Sequence, residues 1–331
     1  MALSEADLLA RMQRAERARQ GDGFVHVTFP AMGTINDLQF RPRNVAEAEP
    51  FLRAVFGWLA AFEAKFSRFL PDSLVGRINA AAGLHPVATD DQADELLALC
   101  DFHHMRTKGA FDPTLGPLVR LWSGRTQPPA EEEIQAARAL SGWSKVVRSP
   151  GRFFLPEKGM HLDLGGIGKE WAVDQVCHLA DQWDVTRYAV SFGRDIRVSG
   201  APPEGERWQL GLEHPGEPDR CWEGVSMERG ALCCSGDYRR YFEFGGRKFG
   251  HIVDPRSGVP AQTGCHAAWV IAPTCTDAGM LATTILIVGA DEGLKRVDAT
   301  PGASACVWMD DELLQTRRFN EYRSSLHETN A

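Results

Sequence analysis

Asp163-Leu164-Gly165-Gly166-Ile167-Gly168-Lys169 is the stretch on which the reading of this chain turns. Its glycines let the backbone approach a ligand closely. The amphipathic run that follows starts a helix, whose first N–H groups and positive dipole end favour an anion. The same pattern also makes a tight strand-to-helix turn, and its spacing fits neither the dinucleotide fingerprint nor the P-loop. Three other segments give it company: Gly109-Ala110-Phe111-Asp112-Pro113-Thr114, Ser235-Gly236-Asp237-Tyr238 and His251-Ile252-Val253-Asp254-Pro255-Arg256-Ser257-Gly258.

Working outward, 331 residues suffice for one large domain or two closely joined ones. The net charge of −8 gives no reason to expect nucleic acid or an anionic membrane as partner. The longest apolar run, Ile285 to Val288 with its neighbours, is too short to span a bilayer. The first twenty residues are charged throughout and lack the apolar core of a signal segment, so the expected location is the cytoplasm. Eight cysteines show no Cys-x-x-Cys pair and no zinc spacing, which reads as buried free thiols.

Ser4 is an N-cap with Asp7 at the capping-box position, and it predicts a helix to about Arg19 with a short stripe of Leu8, Leu9 and Met12. Strands are expected near 23–29 and 34–41, then helices over 46–66, 90–107 and 130–140. The second half reads as β-rich, with strands near 152–155, 187–198, 208–212, 224–228, 241–244, 247–252 and 265–271. Two helices interrupt it, at 168–181 and at 276–288, the latter closed by Gly289. This is an α+β pattern, not a βαβ series.

In their order along the chain, the quoted motifs resemble the ApbE family, the FAD:protein FMN transferases. The resemblance runs from Met32-Gly33-Thr34 to about Gly289 and includes Phe66-Ser67-Arg68-Phe69, Ser73, Asn79 and Glu213-His214-Pro215. It implies an α+β, T-fold-like sheet core with packed helices and a nucleotide site in a cleft between two lobes. The domain division expected is a helical extension at 1–21 and a flavin transferase domain at 22–325. Many relatives are exported and lipid-anchored, whereas this chain reads as cytoplasmic.

The family's reaction passes FMN from FAD to a threonine or serine hydroxyl of an acceptor protein and releases AMP. Such transfers rest on positioning and on neutralising phosphate charge. By resemblance, Met32, Phe69, Ala110, Phe111, Asp112, Asp163, Lys169 and Ile252 fall on FAD-contacting positions, and the Gly166 carbonyl and Thr283 fall on magnesium-ligand positions. Met32, Phe69 and Phe111 taken singly read as core. Lys169 is either a point charge for phosphate or a solvated first-turn lysine. His251 either takes the proton of the attacking hydroxyl or closes the turn before Asp254-Pro255, which Asp254 and Arg256 would hold as an ion pair.

Three departures from the family pattern bear on this chemistry. The aspartate four residues before the metal-binding threonine is Gly279 here; Asp277 is the nearest substitute, and needs an irregular first turn because it points roughly 200° away. Glu170 replaces the glycine of Lys-Gly-aromatic, and Arg194 replaces the second glycine of Gly-Gly-Asp. Their opposite charges predict a Glu170–Arg194 pair. The leading expectation is an FMN transferase that uses FAD and Mg²⁺, the metal weakly held or replaced, and acts on an acceptor flavoprotein of a redox system. The alternatives are an altered or inactive FAD-binding or assembly factor and an FAD diphosphatase.

Overall fold

The computed structural model describes residues 4–19, 21–310 and 312–324. Ser4 caps helix α1 (Glu5–Met12): its hydroxyl accepts the Asp7 N–H at 3.2 Å, and the Asp7 carboxylate accepts the Ser4 N–H at 2.9 Å. The helix stops at Met12, not near Arg19. Beyond the Leu8–Met12 stripe there is no further apolar face to bury, and burial is what sustains so short a helix. The chain continues extended as strand β1 (Glu16–Arg19), which pairs antiparallel with β2 (Val25–Ala31). The expected boundary between residues 21 and 22 thus falls between two hydrogen-bonded strands. Leu8 and Met12 are buried in the main core. Residue 325, the expected end of the domain, lies outside the described residues.

Seven more strands extend this sheet: β3 (Thr34–Phe40), β4 (Tyr188–Phe192), β5 (Asp195–Ser199), β6 (Gly230–Gly236), β7 (Ala267–Ala272), β8 (Ser304–Trp308) and β9 (Leu313–Gln315). Their order in space is their order in the chain, and each neighbouring pair is antiparallel. The single strand expected over 187–198 is two, because Gly193 and Arg194 turn the chain at φ values of 56° and 87°.

One face of the sheet carries the helices. In α2 (Ala48–Phe66) the residues Phe51, Val55, Leu59, Phe62 and Phe66 recur at helical spacing and are buried. Helix α3 (Asp91–Arg106) follows, and α4 (Gly168–Gln182) starts at the glycine turn. Helix α5 (Cys275–Val288) is apolar almost all round and lies inside the core. The other face is covered by a three-stranded sheet, and there Trp208, Leu212, Val225, Trp269 and Phe319 form a second cluster. A third cluster of Leu118, Trp122, Ile134, Phe249 and Val253 anchors the segment that carries His251. Among the described residues no helix is long and apolar enough to cross a membrane.

Candidate functional site

The motifs scattered along the sequence meet at the turn before α4. The Asp163 N–H donates to the Pro113 carbonyl at 2.7 Å, which ties the Gly109–Thr114 segment to the glycine turn. Asn79 clasps the segment leading in: its Oδ1 accepts the Leu162 N–H at 2.6 Å, and its Nδ2 donates to the Leu162 carbonyl at 3.0 Å. Asp163 accepts the Gly165 N–H at 2.9 Å and pairs with Arg68, so its carboxylate both shapes the turn and holds a cation over it. The Phe111 ring lies 3.7 Å from where a Gly166 side chain would begin.

The flavin candidates divide by exposure. Phe69 is 78 % exposed, with the Arg68 guanidinium 4.8 Å from its ring centre, and is free to stack. Met32 forms the β2–β3 turn at φ 52° and donates its N–H to Glu63 at 2.9 Å. Ala110 and Phe111 are buried, and Ile252 packs against the main core. Asp112 is committed internally, its carboxylate accepting the Thr114 N–H at 2.7 Å and the Trp143 N–H at 2.8 Å.

Helices α4 and α5 form a seam fixed from both ends. The Asp174 carboxylate accepts the Cys275 and Thr276 N–H groups, each at 2.9 Å, capping α5 from the side of α4, and also pairs with Arg197. One turn away, Glu170 faces Gly279. A Cβ on Gly279 would lie 2.6 Å from the Glu170 Cγ, so a side chain at 279 and the one at 170 compete for the same space. Lys169 pairs with the buried Asp195 and lies 3.4 Å from Glu170 Oε1. Glu170 is 8 % exposed, and its Oε2 is buried without a hydrogen-bond partner. Such an atom costs about 1–3 kcal/mol, more when charged. One turn beyond Gly279, the Thr283 hydroxyl lies 2.9 Å from the Ser235 hydroxyl.

Two expectations fail here. Asp277 stands in a regular first turn, capped by Thr274, with its carboxylate 2.7 Å from Arg106. It lines a cavity of about 240 Å³ with His103, Thr284 and Arg296, on a different helix face from Gly279. With no irregular turn to swing it round, Asp277 is not placed to serve the Gly279 position. Nor does Glu170 pair with Arg194. Arg194 reaches Glu213 and Asp219 along the other side of its turn. Burial raises the Glu213 carboxyl, but hydrogen bonds from Arg239, the Asp219 N–H and Tyr238 outweigh it and bring its pKa down to about 2.

His251 follows the Tyr241–Phe244 and Arg247–Gly250 hairpin and is exposed. The protein crowding its imidazole, and next the Arg240 guanidinium, hold its pKa below the ordinary value, so it is neutral and able to accept a proton at pH 7. Asp254 and Arg256 do form the expected ion pair, at 2.8 Å. Sequence reasoning missed Arg68, Asp195 and Ser235 as partners of the site. All three lie inside segments already singled out, but only the fold shows which neighbour each one meets.

By its α+β fold, with a glycine turn opening α4, the chain is of a transferase class. The chain belongs to the ApbE family, whose model matches residues 32–308. It is 28% identical over 309 residues to the FAD:protein FMN transferase of Vibrio cholerae, covering 91% of each chain. The enzyme of the same name from Treponema pallidum is 30% identical over 292 residues, covering 82% of this chain and 81% of that one. Among solved structures, the flavin transferase ApbE from Vibrio cholerae superposes with a TM-score of 0.81 at 25% identity, covering 93% of this chain and 99% of that one. The ApbE protein from Thermotoga maritima gives 0.82 at 27% identity, covering 91% and 100%.

Proposed function

We propose that this protein is an FAD:protein FMN transferase that moves FMN from FAD to a threonine or serine hydroxyl of an acceptor flavoprotein in a redox system and releases AMP. The observation that carries the reading is the meeting of the Gly109–Thr114 segment with the glycine turn that opens α4, with two cations beside it, Arg68 on Asp163 and Lys169 on Asp195. The turn and Lys169 take the pyrophosphate, and the exposed Phe69 and the Met32 turn take the ring systems. The acceptor oxygen forms a bond to the phosphorus of the FMN half. The pyrophosphate P–O bond breaks with its electron pair leaving on AMP, and the hydroxyl proton passes to His251. Lys169 stabilises charge on the phosphate oxygens in a seam largely closed to water.

The residues fit a hard divalent cation in kind, because the Glu170 carboxylate keeps a buried oxygen without a hydrogen-bond partner. The Gly166 carbonyl and the Thr283 hydroxyl would hold Mg²⁺. When bound, the metal neutralises pyrophosphate charge. The test is incubation with FAD, Mg²⁺ and an acceptor-sequence peptide, followed by mass spectrometry. Addition of FMN with release of AMP is the expected result. AMP and free FMN without any acceptor would point to a diphosphatase instead, and no turnover with FAD bound would leave a binding protein.

A further inference from the structure

Two departures from the family pattern, read separately in the sequence, touch in space. The carboxylate missing from α5 at Gly279 is faced by a carboxylate on α4 where a glycine was expected, at Glu170. We propose that Glu170 is the anionic metal ligand of this chain, supplied from α4 into the space that Gly279 leaves open. The proposal deepens the transferase reading and rests on it.

Four observations support it. Glu170 Cγ, Oε1 and Cδ lie within 2.6–3.3 Å of a Cβ built on Gly279, so the Glu170 side chain fills the space beside that position. Its Oε2 is buried and has no hydrogen-bond partner. A protonated carboxyl would need an acceptor for its O–H, and a structural carboxylate would need a donor; neither is met at this atom, whereas a cation would satisfy it. The companion oxygens come from α5 and from the turn that opens α4. Thr283 lies one turn from Gly279, and the Gly166 carbonyl, four residues before Glu170, receives no backbone hydrogen bond among the described residues, although the Leu164 and Ile167 carbonyls beside it do. Finally, the seam is held in register by Asp174, four residues after Glu170, capping Cys275, four residues before Gly279.

No group of three or more His, Cys, Asp or Glu side chains that could hold a metal occurs among the described residues. One carboxylate with neutral oxygens makes a weak site on its own, completed by the diphosphate of the substrate. The exchange is also reciprocal: an acid at 279 and Glu170 crowd the same space, so one of them suffices for the site.

The experiment is a Mn²⁺ titration of the full chain followed by electron paramagnetic resonance, with and without FAD. FAD binding in metal-free buffer is followed separately by flavin fluorescence. Glu170→Gln, which keeps the shape, is expected to weaken Mn²⁺ binding in the presence of FAD by at least about tenfold while leaving metal-free FAD binding intact. The exchange pair Glu170→Gly with Gly279→Asp is expected to recover most of that affinity, and tests the same point should Glu170→Gln fold poorly. Unchanged Mn²⁺ affinity in Glu170→Gln, or loss without recovery in the exchange pair, overturns the proposal. A wild-type protein that binds FAD but no Mn²⁺ overturns it too and leaves the flavin site standing. One that binds no FAD overturns the transferase reading, while the Mn²⁺ titrations still compare the carboxylates.

Discussion

Glu170 and Arg194 are the same kind of change, a long charged side chain where a glycine was expected, and the fold treats them in opposite ways. Arg194 sits on the β4–β5 turn, half exposed, with Glu213 and Asp219 as partners. Glu170 is buried at the head of α4, has one oxygen 3.4 Å from Lys169 and leaves the other with nothing. A charge satisfied at a surface turn needs no ligand to explain it. A buried oxygen left open beside a vacated helix position does, because desolvation without a partner is costly. The lesson is that opposite signs do not make a pair: where each side chain is buried decides which of them belongs to the chemistry.

The comparison breaks most sharply at Glu170. Glu170→Gln should lower the FMN-transfer rate by about 10³-fold, the several kcal/mol expected when a metal's charge stabilisation is lost. A rate within threefold of wild type would put Glu170 on the same footing as Arg194. His251→Gln should cost about 10²-fold, the lower end for a lost general base. In the wild type, the acid-side decline in transfer should be centred below pH 6.5, because crowding by protein and the Arg240 guanidinium hold the His251 pKa beneath the ordinary imidazole value. A decline already complete at pH 7 would contradict that placement.

Gly279→Asp with Glu170 retained should destabilise the fold by about 1–3 kcal/mol, as overpacking does, given the 2.6 Å approach at that Cβ. Thermal melting reads it, and an unchanged midpoint would mean that the seam opens freely. Stability should also fall with acidification. Burial, the largest cause in both, lowers His103 and His161 from 6.5 to about 4. Between those values the unfolded chain binds protons that the native state refuses, so stability present above pH 6.5 is lost as the pH drops toward 4. The slope is at most about 1.4 kcal/mol per pH unit for each histidine. His103→Gln should flatten the slope. The smallest effect belongs to Arg194→Gly: at φ 87° glycine relieves backbone strain, offsetting an exposed ion pair worth about 0–1 kcal/mol, with transfer unchanged.

Much of this architecture is legible in the sequence, and the gaps have physical causes. Periodicity marks α2 and α4 because each buries a recurring face, whereas α5 shows as an apolar run too long for a strand and closed by Gly289. Periodicity misses β6 and β8, whose short apolar runs (Gly230–Gly236, Ser304–Trp308) lie in the sheet interior and show no alternation. Helix α1 is overextended because Arg14–Arg19 suits a helix by propensity but is claimed by the edge of the sheet. In the site, glycine and lysine positions follow from motif order, whereas the Lys169–Asp195 pair and the meeting of Glu170 with Gly279 join residues 26 and 109 positions apart, by subtraction of their numbers. No local signal encodes contacts of that range.

The most direct test of the account is FMN transfer to an acceptor peptide by wild type, Glu170→Gly, and Glu170→Gly with Gly279→Asp, under saturating FAD and Mg²⁺. The account predicts transfer by the wild type, near-complete loss in the single variant, and substantial recovery when the carboxylate is returned to 279. Equal rates in all three proteins would contradict it, because neither position could then be carrying the charge the reaction needs.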